Sequence, residues 1–344
     1  MTTVESTTAR TTAPTVSVVI CTYTLDRWDD LCAAVDSIRA QHLPPTELLV
    51  VVDHCPELAR EIGRRFPGVR VVHSRQKHGV SGARNTGVES AVGEVVAFLD
   101  DDAVADPDWT ARLLAPYRDP AVLGVGGQVD SWWETGRPGW FPPEFDWVVG
   151  CSYPGSPEET SAVRNFIGAN MSFRRAEVLA AGNFRSDLGR IGTSPYGCEE
   201  TELCLRISAR NPGGVLRYEP AVVVRQHVPP ARTTWAYFSS RCYAEGRSKA
   251  LVARYSGTRT GLSSERRYLR RTMPAAVLRC LRHAEFRAAG ALCAGVGLTV
   301  TGYALGRLGR GAGGGPGSVG TGSAAGEPDE GPAGAARRPT RRRT

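Results

Sequence analysis

No Cys-x-x-Cys pair occurs anywhere in the 344 residues, and the nine cysteines are odd in number and scattered. That spacing excludes a zinc ribbon and argues against a disulfide framework, which makes a reducing cytoplasm the expected compartment. Helix-turn-helix, zinc-finger and aromatic RNA-binding signatures are absent as well, so the formal charge of +7 is not read as a nucleic-acid footprint. Its location accounts for it: after Gly306 seven Arg face three acids, and the rest of the chain is nearly balanced. No G-x-G-x-x-G follows the first apolar run and no G-x-x-x-x-G-K-[ST] occurs, which removes the dinucleotide fingerprint and the phosphate loop. Residues 1–14 are Thr-rich without an apolar core, so they are expected to be disordered, neither signal peptide nor anchor.

What the chain does have is a hydrophobic share of 41%, enough for a full core, and an alternation of short β-branched runs with helical patterns. Val16 to Cys21, Leu48 to Val52, Val69 to His73 and Val95 to Leu99 read as strands. Helical stretches are expected over Asp29 to Gln41, Pro56 to Phe66 and from about Gly79 to Ala91. Right-handed crossovers would pack these into an α/β fold, a mostly parallel Rossmann-like sheet with helices on both faces. Ligands of such sheets gather at the carboxyl ends of the strands.

The residues expected at those ends form a coherent chemical set. Asp100, Asp101 and Asp102 follow the apolar run Val95 to Leu99, and uncompensated acids at such an edge attract a hard divalent cation. An Asp-rich turn before Pro107 is the alternative reading. Thr22 and Tyr23 after the first strand suit a nucleotide phosphate or base, and Asp53 after the second suits a base or ribose donor, although each alone also reads as a cap or turn. Gly82-Ala83-Arg84-Asn85-Thr86-Gly87 places Arg84 and Asn85 near a helix start, where backbone N–H groups favour anions.

In order and spacing, Ser17 to Tyr23, Asp53, Gly82 to Gly87 and Phe98 to Asp102 resemble the inverting glycosyltransferases of family 2. Gly168-Ala-Asn-Met-Ser-Phe-Arg-Arg175 and Gly197-Cys-Glu-Glu-Thr-Glu-Leu-Cys-Leu-Arg206 extend the likeness to about Trp235. The resemblance implies a GT-A fold, a UDP-, GDP- or dTDP-sugar donor and Mn²⁺ or Mg²⁺. It also implies Asp102 as first metal ligand, Asp100 as ligand or donor contact, and His227 as a further ligand. Asp101 joins the donor-binding set as the member least expected to touch it directly, and Asn170 is expected to bond donor phosphate or acceptor, the alternative being that Gly168 to Asn170 only turns the chain. Where the family motif reads Glu-Asp this chain has Glu199-Glu200, so Glu200 is the expected catalytic base, with Glu199 as the alternative. Glu202 and Arg206, four apart, are expected to form a surface or supporting pair.

Three domain segments are expected beyond the N-terminus: residues 15–235 as catalytic domain (15–105 donor half, 106–235 acceptor half), 236–306 as helical extension and 307–344 as a disordered Gly/Arg-rich tail. Within them, the aromatic-rich stretch Ser131 to Pro157 reads either as a packed cover over the sheet or as a loop that meets sugar or lipid. Tyr237 to Tyr255 and Leu262 to Arg287 read as helices, and Ala288 to Leu305 carries no charge over about the length that crosses a bilayer. Glycines and flanking arginines favour a helix lying on the domain or on the anionic inner face of the cell membrane over a true span. The expected acceptor is therefore a lipid-linked (polyprenyl) or cell-envelope glycan, the alternatives being a soluble natural product or a catalytically silent sugar-nucleotide-binding protein.

Overall fold

The computed structural model describes residues 14–192, 195–256, 265–266 and 268–308, so most of the expected N-terminal and C-terminal disordered segments lie outside the described residues. β1 (Val16–Thr22), α1 (Trp28–Arg39), β2 (Glu47–Val52), α2 (Pro56–Arg65), β3 (Arg70–His73), α3 (Val80–Ser90) and β4 (Val95–Asp100) alternate close to the expected bounds. The local reasons are visible in each helix. In α1, Leu31, Ala34, Val35 and Ile38 form one buried stripe at helical spacing, and Asp29 and Asp30 sit in the first turn where the helix dipole favours acids. Pro56 opens α2, where its missing N–H leaves no bond unmade.

Alternate residues of β1 feed two cores, which is what a sheet covered on both faces requires. Val18 and Ile20 pack with Leu31 and Val35 of α1 and Ile62 of α2, while Val19 packs with Ala83 and Val88 of α3. Each such buried aliphatic side chain contributes roughly 1.5–3 kcal/mol. β1 pairs in parallel with β2 and with β4, and the register sets Thr22 opposite Val52 and Cys21 opposite Asp100. The three strands thus end at one edge.

The chain then adds β5 (Ala103–Ala105), α4 (Trp109–Leu114), β6 (Val122–Trp133), β7 (Ser161–Ala162), β8 (Asn170–Arg174), α5 (Arg175–Ala180), α6 (Glu199–Arg210) and β9 (Val215–Val228). The sheet runs β3-β2-β1-β4-β8-β6-β9-β5, with β7 on β9. β8 is antiparallel to β4 and β6, so the parallel first half of the sheet continues into a mixed second half. Opposite Gly127 and Gln128 the partner residues jump from Glu219 to Val223, a bulge that accommodates Pro220 inside β9.

Among the described residues three longer helices follow, α7 (Trp235–Ser256), α8 (Met273–Arg282) and α9 (Phe286–Leu308), with a π-helical turn at Tyr268–Thr272. The helix expected from Leu262 to Arg287 is therefore broken, and Ala284, at φ 56°, turns the chain between α8 and α9. Residues 262–264 and 267 of that stretch lie outside the described residues. α7 and α9 approach closely through glycine: a methyl group on Gly246 would strike the Thr299 carbonyl, and one on Gly302 the Tyr243 carbonyl. The expected boundary at 235/236 does not separate two cores. Phe238, Cys242, Met273 and Leu292 belong to the same buried cluster as Val18 and Val50. The aromatic stretch explains the merger, since Phe141 and Phe145 pack edge-on or tilted against Phe238 of α7.

Candidate active site

A cavity of about 1100 Å³ opens at the strand-end edge. Thr22, Tyr23, Asp53, Arg84 and the three acids Asp100 to Asp102 line one side of it, and Glu199 and Glu200 its far side. Asn85, Asn170 and His227 do not line it.

The donor corner is built on Asp53, which is 6% exposed. Its Oδ2 accepts from the Gly79 amide at 2.8 Å and lies 2.7 Å from His78 Nδ1, and its Oδ1 lies 2.6 Å from His54 Nδ1. Gly79 has φ 121°, a conformation that favours glycine, and it aims its N–H at the carboxylate. Thr22 Oγ1, at the end of β1, is buried without a hydrogen-bond partner. Tyr23 takes a 3.3 Å hydrogen bond from Arg27, whose guanidinium lies 5.3 Å from the phenol ring centre.

The three consecutive acids have three different environments. Asp100 opens onto the cavity, its side chain 39% exposed, with Arg84 at 3.3 Å. Asp101 pairs through Oδ1 with Arg27 at 3.0 Å, while its Oδ2 is buried and unpartnered. Burial and the neighbouring Asp102 charge push the Asp101 carboxyl up to about 6. Asp102 is held by Gln226 on Oδ1 and by Arg232 at 2.6 Å on Oδ2, with Arg27 at 3.5 Å. Burial works against its ionisation, but Arg232 and Arg27 hold it below the usual carboxylate range. Hard carboxylate oxygens crowded at a cavity edge, one without a donor, fit a divalent cation. Asp102 keeps acceptor capacity beyond its present donors, since a carboxylate offers about four lone-pair sites. The more open of the two expected ligands is nevertheless Asp100.

The far side is set by α6. Cys198, at φ 70°, turns the chain into the helix, so that Glu199 and Glu200 open its first turn. Arg84 reaches across from α3 and donates to Glu199 Oε1 at 2.6 Å, with both side chains under a tenth exposed. Glu200 accepts only a long 3.4 Å contact from Thr201 and pairs with no cation among the described residues. Burial and the adjacent Glu199 charge push the Glu200 carboxyl up to about 8. Behind them Glu202, 1% exposed, holds Arg206 at 2.7 Å, and Arg206 in turn bonds the Ala181 and Asn183 carbonyls. This expected pair is supporting, not superficial.

Three expected site residues have other tasks. Asn85 exchanges hydrogen bonds with the Phe184 backbone at 2.8 and 2.9 Å, tying α3 to the segment after α5. Asn170, fully buried, accepts from Trp109 Nε1 at 2.9 Å and donates to the Gln128 and Val222 carbonyls. Every polar atom of its amide is thereby used inside the sheet, a correction to its expected place beside the donor. His227 lies between Asp30 at 2.8 Å and Glu134 at 3.2 Å with Trp132 4.9 Å away, outside the cavity wall, which corrects its expected place beside the acids. Its backbone N–H, not its ring, reaches Asp102, donating to the carbonyl at 2.8 Å. Sequence reasoning missed Arg27, Gln226 and Arg232, which hold the acids from positions 74 to 130 residues away. The one local signal was that Gln226 precedes His227 at the end of a β-branched run.

Residues 17–178 match the family model described as glycosyl transferase family 2. The glucosyl-dolichyl phosphate glucuronosyltransferase of Haloferax volcanii is 35% identical over 241 residues, covering 69% of this chain and 77% of that protein. The succinoglycan biosynthesis protein ExoM of Rhizobium meliloti is 26% identical over 243 residues, 68% of this chain and 73% of that one. Among solved structures, the mannosyltransferase PcManGT of Pyrobaculum calidifontis, in complex with GDP-Man and Mn²⁺, superposes with a TM-score of 0.57 at 18% identity, covering 87% of this chain and 88% of that one. That likeness establishes the GT-A fold. The chain belongs to glycosyl transferase family 2, and is a glycosyltransferase that uses a nucleotide-sugar donor.

Proposed function

We propose that the protein moves one sugar, with inversion, from a nucleoside-diphosphate donor to a hydroxyl of a lipid-linked or cell-envelope glycan, with Glu200 as the base. The observation that carries this reading is the contrast between two adjacent acids: Arg84 occupies Glu199, whereas Glu200 faces the cavity without a cation partner among the described residues. The acceptor oxygen bonds to the sugar C1 as the C1–O bond to the diphosphate breaks. The bonding pair departs with the diphosphate, and the hydroxyl proton passes to Glu200. Asp53 receives the base or ribose, with Thr22 and Tyr23 beside it, and Asp100 and Asp102 would hold Mn²⁺ or Mg²⁺. When bound, such an ion neutralises the charge that builds on the leaving diphosphate. The test is thermal stability with UDP-, GDP- and dTDP-sugars, with and without Mn²⁺. One donor at a hundredfold excess over its Kd is expected to stabilise the fold by about 2.7 kcal/mol only when metal is present. No metal-dependent shift with any of them defeats the donor assignment, and a shift without turnover favours the silent binder.

The acceptor class rests on the acceptor named for the Haloferax relative and on α9. This helix is long and apolar enough to cross a membrane, yet its Val296, Thr299 and Val300 also line the cavity. Its outer residues Phe286, Leu305 and Leu308 are 68%, 49% and 75% exposed, with Arg287 and Arg307 near its two ends. An apolar face flanked by arginines suits an anionic leaflet. Co-sedimentation with anionic vesicles is expected, and to weaken as salt rises; indifference to vesicles of any composition would favour a soluble acceptor.

A further inference from the structure

Arg190 lies between α5 and α6 on a stretch whose backbone docks onto the start of α3. Its carbonyl accepts from the Val80 amide at 2.9 Å, and Ser81 Oγ donates to the Leu188 carbonyl at 2.8 Å. A Cβ built on Gly79 would sit 2.9 Å from that same Arg190 carbonyl, so the loop rests against the residue whose N–H holds Asp53. Arg190 itself lines the cavity.

Its neighbours are already engaged. Arg27 is paired with Asp101, Arg84 with Glu199 and Arg232 with Asp102, and Arg241 donates to the Val148 and Pro195 carbonyls. Arg190 forms no ion pair among the described residues; Asp100, farther off, and Tyr237 favour its charge, but Arg241 and Arg232 stand close enough to oppose it. Burial and those like charges push it down from the usual guanidinium range. Tyr237 beside it feels the same surplus. Burial alone would raise that phenol, but Arg190, Arg232 and Arg241 pull it down. A partly buried cation that makes no contact ion pair is costly unless a ligand supplies one.

We propose that Arg190 is a phosphate-binding residue of the cavity, engaging a phosphate oxygen that a substrate brings. This rests on the glycosyl-transfer reading above and deepens it. The phosphate comes from one of two sources, the leaving diphosphate of the donor or the phosphate joining an acceptor sugar to its lipid.

The test compares wild type with Arg190→Gln and Arg190→Lys. Calorimetric titrations with UDP and UMP, and with the guanosine and thymidine pairs, are run in Mn²⁺. Acceptor KM is measured for a prenyl-phosphate-linked sugar and for the matching alkyl glycoside. Losing a charge-assisted hydrogen bond changes affinity roughly 10- to 100-fold. If the donor is the source, Arg190→Gln loses that factor for the diphosphate but not the monophosphate, and Arg190→Lys recovers part of it. If the acceptor is the source, nucleotide affinities stay level and KM rises by that factor for the phosphate-linked sugar alone. The proposal is overturned if neither quantity moves, or if monophosphate and diphosphate weaken together with a fall in melting temperature, which marks a structural role. Wild-type protein that binds no nucleoside diphosphate would overturn the donor reading and this subsite with it.

Discussion

Glu200→Gln is expected to lower turnover by roughly 10²- to 10⁴-fold, the usual contribution of a positioned general base, while leaving donor affinity within about twofold of wild type. The amide has nearly the shape of the acid but cannot take the acceptor proton. The same residue is expected to set the pH dependence. Its carboxyl is pushed from 4.5 up to about 8, and only the ionised form can act as base. Activity should therefore rise with pH, roughly tenfold per unit in kcat/KM, until it levels off near pH 8, and that slope should vanish in the Gln variant. A wild-type rate in Glu200→Gln would move the role to Glu199, and a flat profile in the wild type would remove Glu200 from proton transfer.

Arg84→Met is expected to cost about 3–5 kcal/mol of folding stability, the penalty for leaving a buried carboxylate without its partner. Arg84 is nearly fully buried and joins three elements, reaching Glu199 of α6 at 2.6 Å, Asp100 of β4 at 3.3 Å and the Gly168 carbonyl at 3.4 Å. Burial works against its charge, but Glu199 and Asp100 hold the guanidinium ionised. Adding Glu199→Gln should return a good part of the loss, because the stranded charge is then gone. Chemical denaturation of the single and double variants measures both effects. A loss under about 1 kcal/mol in the single variant would mean that water, not Arg84, compensates Glu199.

Much of this was legible before the fold was known, and the limits have a physical cause. The donor half was read nearly to its true ends because each βα unit carries its own signal: β-branched runs for β1, β2 and β4, and helical spacing for α1 and α2. The acid cluster and the Glu199-Glu200 pair were found because they stand together in sequence at an element end. What failed was anything decided by long-range partners. Asn85 and Asn170 have the look of ligand-binding amides, yet their bonds go to Phe184, Trp109, Gln128 and Val222, which local patterning cannot reveal. The separate fates of Asp100, Asp101 and Asp102 likewise depend on Arg27, Gln226 and Arg232 arriving from distant turns and strands.

The close seating of α9 on α7 bears on how the protein can be shortened. A hydrophobic C-terminal helix is the first part removed when a preparation behaves poorly, on the assumption that it is an appendage. Here a cut at residue 285 would take away Val296, Thr299 and Val300 from the strand-end cavity and strip Leu292 from the interior. It would also bare the surface of α7 at Tyr243 and Gly246, against which Gly302 and the Thr299 carbonyl of α9 now rest. A truncated preparation would then report on a damaged enzyme, and its inactivity would say nothing about the donor or the acceptor.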